Sequence, residues 1–167
     1  MPVFRDNPDQ VHPIRLDGPD PDVLAVVRAI VPGWSAVSRA LITVMRGGIT
    51  NRLLRVHAEG QDPVLVRIYG PNTEVVIDRE AENRLFARLS RSGFAPPYLG
   101  RFSNGRIEGF LDGFRALQPH ELGRDELQSP IARRLAELHD FPVHPPDRAG
   151  ASPRLAEPEP QTFTTLT

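Results

Sequence analysis

The sequence predicts an α+β domain, a small antiparallel sheet with one main helix packed against it. Three runs of strand-forming residues follow one another between 41 and 69, an amphipathic helical pattern occupies 78–91, and an Asn-Gly pair separates two further strand-like runs.

The first element is a short helix. Asp20-Pro21 offers an N-cap followed by Pro at the first helical position, and Val23, Val26, Val27 and Ile30 form one apolar stripe ending near Pro32-Gly33. Residues Pro2 to Pro19 mix Pro, Asp and Gly without period and read as an irregular leader. Leu41–Val44, Leu53–Val56 and Val64–Tyr69 are the three strands, broken at Gly47-Gly48 and between Gly60 and Pro63. The helix from Asp78 to Arg91, or from a turn earlier near Thr73, carries Leu85, Phe86 and Leu89 on one face and stops at Ser92-Gly93, where glycine takes a left-handed cap. Tyr98–Phe102 and Arg106–Leu111 flank Ser103-Asn104-Gly105 as a hairpin, adding two strands. Ser129-Pro130 reads as an N-cap and N1 pair, opening a helix with Ile131, Leu135 and Leu138 at helical spacing. After Pro142 no apolar period remains, and the segment reads as a disordered tail.

Composition narrows the function classes. All 20 basic residues are arginine and the formal net charge is -1, so no basic face calls for a nucleic acid. Any cation that holds a phosphate must then be a guanidinium. The chain has no cysteine, which removes disulfides, thiolate nucleophiles and cysteine zinc sites and fits a reducing, cytoplasmic setting. No apolar run approaches a membrane span, since Val23–Val31 is interrupted by Arg28, and the N-terminus lacks a signal-peptide core.

Three features bear on chemistry. Arg46-Gly47-Gly48-Ile49-Thr50-Asn51 lies between two strands and is either a plain hairpin turn or a flexible backbone that brings N–H groups to phosphate oxygens. Arg67 interrupts an apolar strand and either faces solvent or meets an anion. Glu82 shares the stripe of Leu85, Phe86 and Leu89, as a stripe-edge residue or as a carboxylate in search of a cation. A strand Arg paired with a helix Glu under a glycine turn matches in outline the pair that positions nucleotide phosphates in protein kinases. The five histidines show no metal-ligand spacing, so no metal site is expected; His139, on a face with Leu135, reads as a packed histidine. No Gly-x-Ser-x-Gly turn supports a serine nucleophile.

Taken in order, Gly47-Gly48-Ile49-Thr50-Asn51, Val64-Leu65-Val66-Arg67-Ile68-Tyr69-Gly70, Asp78-Arg79-Glu80, Gly93-Phe94-Ala95-Pro96, Asn104 to Leu111 and Ile131 to His139 resemble the ethanolamine branch of the choline/ethanolamine kinase family, N-terminal lobe only. The resemblance implies a protein-kinase-like fold and ATP- and magnesium-dependent phosphorylation of a small amino alcohol, ethanolamine ahead of choline, on the route to phosphatidylethanolamine. It implies that Gly47, Gly48, Thr50 and Asn51 cover the phosphates, that Arg67 is the strand cation with Glu82 as its partner, and that Glu108 to Leu111 form the hinge beside adenine, with Phe110 as packing.

The family pattern continues into a helical lobe with a His-x-Asp loop and an Asp-Phe-Glu-like metal site, neither of which occurs in this sequence. No catalytic residue is therefore assigned within the chain, and whether it is itself an enzyme stays open. The expected organisation is a leader and short helix (1–36), a kinase-like N-lobe (37–118), the first helix of a truncated C-lobe (119–141) and a tail (142–167). A non-catalytic module that pairs with a full-length kinase, or with itself, is the competing expectation, motivated by Leu135 and Leu138.

Overall fold

The computed structural model describes residues 20–45 and 51–141. Helix α1 (Asp20–Ile30) precedes strands β1 (Leu41–Met45), β2 (Asn51–His57) and β3 (Val64–Tyr69), then helix α2 (Arg79–Arg91), strands β4 (Tyr98–Phe102) and β5 (Gly105–Gly109), and helix α3 (Asp125–His139). The five strands form one antiparallel sheet in the order β1-β2-β3-β5-β4. The expected α+β class, an antiparallel sheet with helices, is what the chain adopts. The chain divides into two compact units, one ending at Ala116 and one beginning at Leu117.

Period-two alternation gives the sheet two different faces. Val64, Val66 and Ile68 of β3 point one way, with Leu54 and Val56 of β2 and Ile107 of β5 as their register neighbours. This face meets Val23, Val26, Val27 and Ile30 of α1, followed by Val31 and Trp34, in one buried cluster. Each fully buried aliphatic or aromatic side chain there contributes about 1.5–3 kcal/mol of transfer free energy. The other face carries Arg67, Tyr69, Arg106 and Glu108, and its helix is α2.

The principal core helix is thus α1, whereas the sequence pattern assigned that part to α2. Asn83 is the buried residue of α2, while Leu85 is exposed and Phe86 and Leu89 are only half-buried. The physical reason is the surface α2 meets. A sheet face of arginines and carboxylates asks the helix for polar partners rather than an aliphatic stripe.

Local signals set the ends of α2. Asp78 is its N-cap, accepting from the Ala81 amide at 2.9 Å. Gly93 follows the helix at φ 74°, as the left-handed stop requires. The alternative start near Thr73 is a separate 3-10 turn, Thr73–Val75.

Two expectations are corrected. The β4–β5 hairpin pairs Phe102 with Gly105, so its turn is Ser103-Asn104 and Gly105 belongs to β5. Glycine is required there by space: a Cβ would lie 2.2 Å from the Arg67 carbonyl oxygen and 2.3 Å from the Phe102 ring. Helix α3 begins at Asp125, not Ser129, with Pro130 inside it. Pro130 lacks the N–H that would bond to the Glu126 carbonyl, so the helix runs through it with that bond missing, while Asp125 and Glu126 supply the acidic first turn. In the same unit, Gln118 and Glu121 form a capping box over a short 3-10 turn, the Gln118 amide donating to the Glu121 carboxylate at 2.7 Å.

The leader up to residue 19, the turn residues Gly47, Gly48 and Thr50, and the tail from 142 lie outside the described residues.

Candidate functional site

Arg67 and Arg106 are register partners on β3 and β5, so their side chains leave the same face of the sheet side by side. Two like charges directly opposed repel. Glu108, two residues after Arg106 and therefore on the same face, accepts from Arg67 Nε at 2.9 Å and from Arg106 Nε at 2.6 Å, both through Oε1. Helix α2 contributes Glu82, whose Oε1 accepts from Arg106 Nη1 at 2.9 Å and whose Oε2 accepts from Arg79 Nη1 at 2.6 Å. A continuous chain of ion pairs results, running from Arg67 through Glu108, Arg106 and Glu82 to Arg79.

Aromatic rings and an amide floor this chain. The Arg106 guanidinium lies 4.3 Å from the Phe86 ring centre and that of Arg79 4.2 Å from the Tyr69 ring centre. Tyr69 donates its hydroxyl to Asn83 Oδ1 at 2.9 Å, and Arg106 Nη1 reaches the same oxygen at 3.3 Å. The side chains of Arg106 and Glu108 are 5% and 4% exposed, whereas that of Arg67 is 23% exposed. Among the described residues, the bond from Nε to Glu108 is the one that holds Arg67, and its terminal nitrogens have no acceptor.

The electrostatics follow from this arrangement. Burial disfavours the ionised form of Glu82, but hydrogen bonds from Arg79 and Arg106 together outweigh it and hold the carboxyl below its ordinary value. Burial likewise works against the Arg106 cation, and its contacts with Glu108, Tyr69 and Glu82 reverse that, raising its affinity for the proton. Burial raises Tyr69 above its usual value, with Arg106 and Asn83 opposing in part. Three guanidiniums against two carboxylates leave one surplus positive charge on the cluster, with Arg67 and Arg79 as its two singly paired ends.

The expected direct pair of Arg67 with Glu82 is therefore not formed. The two side chains share one face of the sheet and one ion-pair chain, but Glu108 holds Arg67 and two other arginines hold Glu82. Glu108, expected in a hinge, lies within β5 with its carboxylate buried among the arginines. Within the expected hinge segment, the amides of Gly109 and Phe110 donate to Pro97 O at 2.8 Å and Pro63 O at 3.1 Å. Phe110 packs under the Arg55 guanidinium, 5.0 Å from the ring centre, and Arg55 also reaches Asp112 at 3.2 Å. Asn51 opens β2 opposite Tyr69, and its Oδ1 is buried with no hydrogen-bond partner among the described residues.

Sequence reasoning missed Arg106 as the joint of the cluster. The signal was present in Arg106-Ile107-Glu108, an i, i+2 pair that a strand places on one face. As for metal, both Glu82 oxygens and the shared Glu108 oxygen are taken by guanidiniums, so this cluster does not fit a magnesium ion.

A five-stranded antiparallel sheet with a strand guanidinium on its α2 face and a helix carboxylate in the same ion-pair chain is the architecture of a protein-kinase-like N-terminal lobe. A crystal structure of choline kinase from Cryptosporidium parvum superposes on it with a TM-score of 0.60 at 26% identity, over 74% of this chain and 38% of that one. The choline/ethanolamine kinase family model matches residues 42–166. A probable ethanolamine kinase of Arabidopsis thaliana is 36% identical over 129 residues, covering 74% of this chain and 34% of that protein. A choline kinase of Saccharomyces cerevisiae is 40% identical over 93 residues, covering 56% and 16% respectively. The chain belongs to the choline/ethanolamine kinase family, and spans well under half the length of these relatives.

Proposed function

We propose that this chain is the nucleotide-positioning lobe of an ethanolamine kinase, a cytoplasmic transferase that phosphorylates ethanolamine with ATP on the way to phosphatidylethanolamine and so serves phospholipid metabolism. The observation that carries it is Arg67, whose Nε is fixed by a buried carboxylate while its terminal nitrogens are left without an acceptor among the described residues. A guanidinium oriented in this way suits bidentate contact with phosphate oxygens. Asn51, whose buried amide oxygen has no partner among the described residues, sits at the same end of the sheet as Tyr69 and supports a polar ligand there. Gly47, Gly48 and Thr50 complete the assignment as the phosphate-covering turn.

ATP supplies the phosphoryl group when bound; the residues of this lobe hold and orient it. Magnesium and the amino alcohol are assigned to residues outside the ion-pair cluster. The proton acceptor for the substrate hydroxyl and the metal ligands are absent from the 167 residues, so these residues by themselves turn over no ethanolamine. Titrating the chain with ATP tests the site. Arg67→Ala is expected to weaken binding by about tenfold, the loss of one charge-assisted phosphate contact, and unchanged affinity sinks the assignment. Incubation with ATP, magnesium and ethanolamine tests the second claim, which phosphoethanolamine formation at an enzyme-like rate refutes.

A second reading rests on α3, which has no buried residue and exposes Leu135 and Leu138. It makes the chain a module that covers this stripe with a full-length kinase of the same family or a second copy. Co-elution with such a kinase in size-exclusion chromatography favours it, and a non-interacting monomer counts against it. Choline remains the alternative substrate, favoured by the yeast choline kinase's identity over 93 residues, and competing the two amino alcohols in the family's longer chain decides between them.

A further inference from the structure

Glu108 is the feature that the direct strand-to-helix pairing leaves unexplained. A buried carboxylate beside Arg67 orients it, but held by Arg67 alone it would also neutralise it and hide its charge from a phosphate. The carboxylate is shared instead. Arg106 takes the same oxygen at 2.6 Å, against 2.9 Å for Arg67, and is the more buried of the two cations. Arg106 is in turn held by Glu82 of α2 at 2.9 Å, and its guanidinium is seated 4.3 Å from the Phe86 ring centre, also on α2.

We propose that Arg106 is a positioning residue for the nucleotide phosphates: it draws the Glu108 carboxylate away from Arg67, leaving Arg67 aimed but charged, and makes that state depend on the seating of helix α2 through Glu82. The inference rests on the reading of Arg67 as the phosphate cation. Removing the Arg106 charge lets Glu108 close on Arg67 as a private pair. Affinity for phosphate then falls while affinity for the nucleoside does not. Removing the Glu108 charge as well frees Arg67 again.

The test is titration of the full chain with ATP and with adenosine, for Arg67→Ala, Arg106→Gln, Glu82→Gln and the double variant Arg106→Gln/Glu108→Gln. Arg106→Gln is expected to weaken ATP about tenfold and Glu82→Gln about threefold, with adenosine unchanged in both. The double variant is expected to recover most of the ATP affinity, a result that a merely structural role for Arg106 does not produce. Should Arg106→Gln fail to fold, Glu82→Gln and the double variant, which removes one cation and one carboxylate together, carry the test. Parallel ¹⁵N spectra follow the Arg67 Nε–H signal, which is expected to shift in Glu82→Gln. Equal losses for ATP and adenosine, a double variant weaker than Arg106→Gln, or an unmoved Arg67 signal overturns the proposal. ATP binding that survives Arg67→Ala instead overturns the phosphate site itself, and the two failures are thereby told apart.

Discussion

The two faces of the sheet are built from the same five strands but on opposite principles. The α1 face is dry and aliphatic, with Val27, Leu54, Val56, Val66, Ile68 and Ile107 all 0% exposed. The α2 face is held by charge, in a chain of five side chains where each carboxylate serves two arginines. Non-directional burial suffices to hold a lobe together, and it leaves no chemistry behind. Ion pairs across the other face add little net stability once desolvation is counted, but they fix where individual charges point. The comparison teaches that stability and positioning are divided between the faces, so changes on each should produce different kinds of damage.

The largest effect is expected from Trp34→Ala on the α1 face, which removes a side chain 2% exposed and should cost about 3–5 kcal/mol. Thermal unfolding measures it, and a loss below about 1 kcal/mol would mean that the aliphatic face is not the main stabilising layer. Gly105→Ala comes next, because a Cβ 2.2 Å from the Arg67 carbonyl oxygen forces β3 and β5 apart. Overpacking of this kind costs about 1–3 kcal/mol. Since the strain falls at Arg67, urea titration and ATP titration should both register it, which Trp34→Ala does only through unfolding. Asp78→Ala removes the N-cap of α2 and should cost about 1 kcal/mol, read in the same urea titration.

The smallest effect is the pH dependence of Glu82. Its carboxyl titrates below the ordinary value of 4.5 in the folded chain, so its contribution is present above that value and is lost as pH falls through the lower, folded value. The group is partly exposed, so solvent screening keeps the contribution under about 1 kcal/mol. Comparing the acid limbs of wild type and Glu82→Gln isolates it, and identical slopes would show that the carboxylate is not held by its arginines.

Much of the fold was legible because local chemistry decided it. The six residues of β3 follow from a β-forming run interrupted by Arg67, and α2 follows from Asp78 at one end and Gly93 at the other. What was not legible depended on which strands are neighbours. That β5 rather than β4 lies beside β3 is a long-range fact, and it is this that sets Arg106 against Arg67 and brings Glu108 between them. The i, i+2 spacing of Arg106 and Glu108 was visible, but without the strand order it named no partner. The helix start at Asp125 was missed because Ser129-Pro130 imitates a cap so closely. The sequence therefore anticipated a strand arginine and a helix carboxylate on one face of the sheet, but not that Glu108 rather than Glu82 holds Arg67.

The absence of lysine has a consequence at the alkaline end of the scale. A guanidinium keeps its proton far beyond the range in which an ammonium surrenders it, so the positive members of the cluster hold their charge in strongly basic solution. The first group touching the cluster to ionise there is the Tyr69 hydroxyl, which burial has moved above 10.0. Once it gives up its proton it can no longer donate to Asn83, and the new phenolate lies beneath Arg79 and near Arg106. Alkali should accordingly reach the ion-pair cluster through the Tyr69 phenol, while the arginines around it stay as they are.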